Sequence, residues 1–356
     1  MKKVLKIVLC VLLALVLIVG GYLAYVFIDY HRIGDNVPLE VTDNQTARAE
    51  AGKAYTIMSW NIGFGAYESD YGFFMDGGTE SWAWSKERLD ANLRNISDVV
   101  RDQGADFYII QEVDTDSTRS YHRDERVPLQ LALPGCANIW AQNYDSPFLF
   151  YPLTQPHGKS VAGIMTFAPY SITSAIRREL PIEDTVMKMV DLDRCYSVVR
   201  IPVANGKELV LYNMHLSAYT SDGTIANEQL RLLLADMQAE YEKGNYVVGG
   251  GDFNKDILGD SSVYFGESDI EYTWAQPLPE GIFDDTDLQL VAPLDEANPV
   301  PSCRNADGPY HEGQYVLTID GFIVSDNVTV SAANVIDTQF AYSDHNPVEM
   351  TFTLEP

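Results

Sequence analysis

The sequence predicts one α/β domain behind a single membrane-spanning helix, and three observations carry that reading. From Ala54 onward, strand-like and helix-like stretches alternate with neither an internal repeat nor a break in composition. Ahead of them, residues 7–28 run without a charge and are long enough to cross a bilayer as a helix. The third is the stretch 246–254, where a brief apolar run meets three glycines and then Asp252-Phe253-Asn254. The glycines predict a tight turn there, and Asp252 and Asn254, two apart, would share one side of an extended chain.

Lys2, Lys3 and Lys6 precede the apolar run, and Asp29, Asp35, Glu40 and Asp43 follow it. That bias predicts a cytoplasmic N-terminus, a single pass through the cell membrane and a body on the extracellular side. A cleaved signal peptide, and hence secretion, is the rival reading. Against it, the run is longer than a signal core and ends without a small-x-small cleavage site. Residues 1–30 are therefore expected to be an anchor touching the membrane through 7–28. Residues 31–54 are expected to be a polar linker, and 55–356 the functional domain.

Within the body, 55–60 reads as a strand. Residues 85–103 read as an amphipathic helix, with Leu89, Leu93, Ile96 and Val100 three or four apart. Gly104 stops it, and the apolar run 107–110 follows as a buried strand. Residues 161–167, 195–201 and 208–214 read as further strands. Residues 226–241 form a second helix, with Leu230, Leu233, Leu234 and Met237 inward. Strands at 316–324 and 348–354 close the chain. Two long polar loops remain, 63–84 and 256–301. The first is rich in aromatics (Tyr67, Tyr71, Phe73, Phe74, Trp82, Trp84), which predicts an ordered wall.

The formal net charge is −27. Such a surface repels phosphate backbones and argues against broad electrostatic adhesion to nucleic acid. A local site can still take a phosphate through a bound divalent cation, which inverts the field around it. Of the four cysteines, Cys10 lies in the apolar run, and Cys136, Cys195 and Cys303 show no metal-ligand spacing. Free, partly buried thiols are expected. Nothing in the sequence points to a protein partner.

Polar residues recur where apolar strands end: Asn61; Gln111-Glu112; Asn213-Met214-His215; Asp252 and Asn254; Asp320; and Ser343-Asp344-His345. Taken singly, each has a plain structural explanation as a turn or cap residue. Glu112 is the hardest to explain so, because a carboxylate beside a core needs a partner and a cation is one. Their recurrence at corresponding places points to one site, since loops at one edge of a sheet are where sites assemble.

In their order, these clusters make the chain resemble the endonuclease/exonuclease/phosphatase superfamily, the deoxyribonuclease-I-like metal-dependent phosphoesterases. The resemblance spans nearly all of the body. Gly251-Asp252-Phe253-Asn254 and Ser343-Asp344-His345 are its most specific elements, and 161–166 matches the family's central strand more loosely. It implies a four-layer sandwich of two packed mixed β-sheets flanked by helices, with the site at one edge. It implies Glu112 as main ligand for Mg²⁺ or Mn²⁺, Asn61 beside it, and Asp344 completing the shell directly or through water. His215 and Asn254 would hold phosphoryl oxygens, and Asp252 would orient or deprotonate the attacking water. Asp320 would fix and polarise His345, leaving open which of Asp252 and His345 is the general base. Arg304 would meet a substrate phosphate or be an ordinary surface arginine, and the aromatic loop would wall a pocket.

The function expected is an anchored, outward-facing, divalent-metal-dependent phosphoesterase. Its substrate would be a phosphodiester or phosphomonoester, with a lipid head group or small molecule favoured. An extracellular nuclease acting on DNA or RNA is the second reading, and a catalytically silent binding domain on the same scaffold the third.

Overall fold

A computed structural model describes residues 2–218, 224–268 and 274–356. Two β-sheets lie face to face. The first has six strands in the order Val328–Val335, Val348–Leu354, Ala54–Asn61, Phe107–Asp114, Val161–Ala168, Ala137–Asp145. The second has seven, in the order Val37–Pro38, Ser174–Glu179, Cys195–Pro202, Glu208–His215, Tyr246–Asp252, Asp320–Ser325, Leu288–Val291. Both are mixed. Ala54–Asn61 runs parallel to Phe107–Asp114, and Glu208–His215 parallel to Tyr246–Asp252, among antiparallel neighbours.

The period-two alternation of a strand explains the layering. Tyr55, Ile57 and Ile109 of the first sheet meet Val199, Leu211 and Val248 of the second in the central core. The intervening residues, Met58, Trp60, Ile110 and Phe167, face outward under helix Lys86–Gln103. On the far side Tyr212, Val247 and Ile323 pack beneath helix Thr224–Glu242 through Leu230 and Leu233. The result is the expected sandwich of helix, sheet, sheet and helix. Helix Lys86–Gln103 starts where Ser85 Oγ accepts from Arg88 N at 3.2 Å and ends at Gly104, whose φ of 62° is left-handed.

Several expectations change. Ala137–Asp145, Ser174–Glu179, Leu288–Val291 and Val328–Val335 are strands that the periodicity did not predict. The span 316–324 breaks into Val316–Leu317, paired with Cys303–Arg304, and Asp320–Ser325 in the main sheet. Most of the 256–301 span lacks regular structure; residues 269–273 lie outside the described residues, and helix Ser262–Phe265 and strand Leu288–Val291 interrupt the rest. The glycines at 249–251 form no turn. Gly249 and Gly250 lie in the ladder, where a Cβ on Gly250 would come within 2.6 Å of the Phe322 ring. They let strands and core close up where a side chain would not fit.

Residues 31–54 are no free tether. Val37–Pro38 adds an edge strand against Ser174–Glu179, and Ala49 is buried in the central core. Arg177, itself buried, donates to the carbonyls of Ile33 and Gly34 at 3.0 Å each, and to those of Gln142 and Asp193 at 2.8 Å. Helix Lys2–Asp29 is exposed along nearly its whole length, with a mean hydropathy of 2.9 over its most apolar window. It is long and apolar enough to cross a membrane, as an anchor or a signal sequence would be. All four cysteines are free thiols.

Candidate active site

The site forms where the inward faces of the central strands turn from apolar to polar. Leu209, Leu211, Asn213 and His215 succeed one another on one face of one strand, and Val248, Gly250 and Asp252 on the next. Phe322 and Asp320 do so on a third, and Tyr55, Ile57, Ser59 and Asn61 across the seam. Sheet register then gathers the groups. Asp252 stands opposite His215 on one side and Asp320 on the other. Just below, Gln111 Nε2 donates to Asn213 Oδ1 at 2.8 Å, and Asn213 Nδ2 donates to Met165 O at 2.7 Å, tying the two sheets together.

His345 Nδ1 lies 2.8 Å from Asp320 Oδ2, which also accepts from Ser302 Oγ at 2.7 Å. The Trp60 indole donates to His345 O at 2.8 Å and fixes the backbone there. His345 Nε2 lies 3.9 Å from Asp252 Oδ2, and His215 Nε2 lies 3.4 Å from that same oxygen. Asn61 Nδ2 donates to Asp252 Oδ2 at 3.0 Å and to Glu112 Oε1 at 3.3 Å, bridging the two carboxylates.

Two site residues sit on strained backbone. Glu112 has φ 55° within a register shift between Ile110 and Val113, so a bulge turns its carboxylate out of the ladder. Asn254 has φ 49°. It reaches Asp252 through a turn, with its N–H donating to Asp252 Oδ1 at 2.8 Å, and not by sharing a strand face with it. Its side-chain Nδ2 donates to Leu216 O at 2.8 Å. Ser343 Oγ holds the last element, donating to Asn61 O at 2.8 Å and to Asp344 Oδ1 at 3.2 Å.

Burial works against a charge on His345, but the Asp320 carboxylate overrides it and holds the imidazole well above its ordinary value. For His215, burial acts with the charges of Arg194 and His345 to hold the ring well below it, so His215 is neutral. Burial raises Asp252, with the charge of His345 pulling the other way. Burial also pushes Asp344 up to about 6, His345 lowering it and Glu112 raising it.

Among the described residues Glu112 and Asp344 form no ion pair with a Lys or Arg, while Asn61 turns its Nδ2 toward Glu112 and its Oδ1 accepts from Gly63 N at 3.0 Å. The two carboxylates offer oxygen donors of the kind a hard divalent cation takes, with the charges of His345 and Arg304 also acting on Asp344. The ligand atoms of Asp252, Asp320 and His345 also lie within 4.8 Å of one another and could hold an ion. Asp320 and His345 are already bonded to each other, however, so the Glu112 side fits a cation better.

These groups line a cavity of about 390 Å³. Tyr67, Phe73 and Phe74 of the aromatic loop form one wall, while Trp82 and Trp84 are absent from it. Arg304 is neither a surface arginine nor aimed freely at the cavity. It is buried, and its guanidinium donates to the carbonyls of Glu68, Tyr71, Asn305 and Gly308, bracing that loop from behind.

Arg194 was not singled out by the sequence. It lines the cavity at 6% exposure, with Nε and Nη1 buried and without hydrogen-bond partners. A lone arginine before a strand carries no local signal of this, because only packing decides whether a guanidinium is paired. His215 Nδ1 and Asp320 Oδ1 are likewise buried and unbonded.

The site is thus an acidic pocket beside a His–Asp pair, at the edge of a two-sheet sandwich. The chain belongs to the endonuclease/exonuclease/phosphatase family, whose sequence profile matches residues 58–345. Comparison with the curated proteins returns no match in sequence. Among solved structures, an endonuclease/exonuclease/phosphatase from Beutenbergia cavernae is 17% identical, with a TM-score of 0.57 over 85% of this chain and 72% of that one. ANGEL2, a 2',3'-cyclic phosphatase solved with adenosine-2',3'-vanadate, is 17% identical, with a TM-score of 0.56 over 92% and 100%. The human Nocturnin catalytic domain, solved with sulfate, is 17% identical, with a TM-score of 0.53 over 89% and 97%. At these identities the likeness is one of fold.

Proposed function

We propose that this protein is a membrane-anchored, outward-facing phosphoesterase that uses Mg²⁺ or Mn²⁺ to hydrolyse a phosphodiester or phosphomonoester. The observation that carries the reading is the convergence on Asp252 of His345, His215 and Asn61, with Asn61 also gripping Glu112. Asn61, Glu112 and Asp344 would hold the ion. When bound, it polarises the phosphoryl oxygen and offsets charge developing on the ester.

The protein's own groups do the rest. Arg194, His215 and Asn254 receive the phosphoryl oxygens. Asp252 orients the attacking water and takes its proton, its raised affinity for protons favouring that role. His345, kept protonated and correctly turned by Asp320, presents Nε2–H to the oxygen that gains charge. A lipid head group or small molecule fits better than a polymer, because the chain carries −27 and the cavity is bounded.

The test is hydrolysis by the full-length protein across aryl phosphodiesters, phosphomonoesters, phospholipids and plasmid DNA with Mg²⁺. Expected are activity abolished by EDTA and by His345→Ala, and a preference for a non-polymeric ester. Activity that survives both treatments contradicts the mechanism. A preference for plasmid favours the nuclease.

A further inference from the structure

The end of the apolar helix and the mouth of the cavity are built into one another. The Tyr22 hydroxyl donates to Phe148 O at 3.0 Å, and Phe148 N donates to the Tyr25 hydroxyl at 3.0 Å. The Tyr22 ring meets Phe150 edge-on at 5.1 Å, and Phe150 meets Phe148 at 4.9 Å. Residues 146–158 carry no Asp, Glu, Lys or Arg. At the tip of this segment the side chains stand in the open: Phe150 is 51% exposed, Tyr151 70% and Leu153 84%. Its other side belongs to the cavity. Leu149 lines it, and Tyr151 packs at 5.7 Å on Phe74, which lines it with Met75, itself 61% exposed.

Exposed apolar clusters of this kind mark an interaction surface, and the attached helix says what covers it. Its 28 residues span about 42 Å at 1.5 Å each, against a hydrocarbon core of about 30 Å. The helix leaves the apolar layer near Asp29, so Tyr22 and Tyr25 lie within about 10 Å of that exit. The segment bonded to them therefore sits at the boundary between acyl chains and head groups, where aromatic side chains concentrate.

We propose that residues 148–153 are a lipid-dipping rim of the catalytic cavity, and that the ester cleaved is the head group of a phospholipid in the anchoring bilayer. This rests on the phosphoesterase reading and narrows its substrate. The lipid is zwitterionic: the chain carries −27, and Asp76, Glu183 and Asp191 line the same cavity, whose Arg119 and Lys188 are paired with Asp114 and Asp184, which favours a head group that carries an amine over an anionic one. The rim enters by apolar burial, so its insertion is insensitive to salt.

The experiment uses the full-length protein in nanodiscs of zwitterionic lipid with Mg²⁺. Phe150→Ser/Leu153→Ser should lose about tenfold or more of the rate on lipid in the disc, from the apolar area no longer buried. Its rate on a short-chain soluble analogue of that lipid should match wild type. Equal loss on both substrates, or loss on neither, overturns the rim, and faster cleavage of anionic lipid overturns the head-group assignment. A second reading is independent of hydrolysis: a fluorophore on Leu153→Cys, in a Cys10→Ser/Cys136→Ser background that leaves only the buried Cys195 and Cys303, should be quenched by brominated lipid at low and high salt. Absence of quenching overturns the rim. Quenching without hydrolysis of any lipid keeps the rim and overturns the lipid substrate.

Discussion

His345 and Asp320 form a buried pair, Nδ1 to Oδ2 at 2.8 Å, and that pair sets which imidazole nitrogen faces the cavity. Asp320→Asn keeps the shape and removes the charge that holds His345 protonated. The expected result is a fall in kcat of about 10²-fold or more with KM little changed. Steady-state kinetics with a folding check by circular dichroism decides it.

Glu112 projects from a bulge at positive φ, and its carboxylate accepts from Asn61 Nδ2 at 3.3 Å. Glu112→Gln removes the charge assigned to the cation. The Mg²⁺ concentration for half-maximal activity should rise about tenfold or more, while melting in EDTA moves little. Magnesium titrations of both proteins, followed by activity, provide the comparison.

Arg194 is buried, and its Nε and Nη1 lack hydrogen-bond partners among the described residues, an arrangement that costs stability when no anion is present. Arg194→Met should leave Tm unchanged or raise it, yet raise KM about tenfold or more through loss of a charge-assisted hydrogen bond to substrate. A fall in Tm with no change in KM would make the residue structural. Inorganic phosphate should raise the Tm of wild type more than that of the variant.

Glu240 accepts from Arg200, Lys243 and Asn245 at 2.6 to 3.0 Å. Burial raises its carboxyl, but these bonds outweigh burial and bring it from 4.5 down to about 2. A depressed folded-state value gives stability that is present at neutral pH and lost on acidification. The Tm gap between wild type and Glu240→Gln should therefore be full at pH 7 and shrink between about pH 4.5 and 2.

Two truncations separate the apolar helix from the body. Deleting residues 1–30 should give a soluble, folded protein active on a soluble ester, since the Arg177 contacts to Ile33 and Gly34 remain. Deleting 1–50 removes the edge strand Val37–Pro38 and the buried Ala49 and leaves Arg177 carbonyl-poor, so expression or Tm should fall sharply. Equal Tm values for the two would contradict the docking of 31–54.

Much of this molecule is written locally. An uncharged apolar run spells out a helix able to cross a membrane, and spacing of three and four spells out Lys86–Gln103. An apolar strand that ends in Asn61, Glu112, His215 or Asp252 announces a polar edge, because period two places successive inward side chains on one face. Other features have no local signal. Ala137–Asp145 and Val328–Val335 mix polar and apolar residues without clean alternation and become strands through their neighbours. Glycines that look like a turn stay in the ladder, where Phe322 fills the space beside Gly250, and the expected tether is held by distant groups, Arg177 and the strand Ser174–Glu179 among them. That Arg304 is engaged by carbonyls while Arg194 keeps Nε and Nη1 unbonded, and that the rim of the cavity rises beside the apolar helix, follow from which carbonyls and rings surround them. Periodicity and chain-end chemistry act between near neighbours in sequence, whereas pairing, desolvation and enclosure act between groups that only the folded chain brings together.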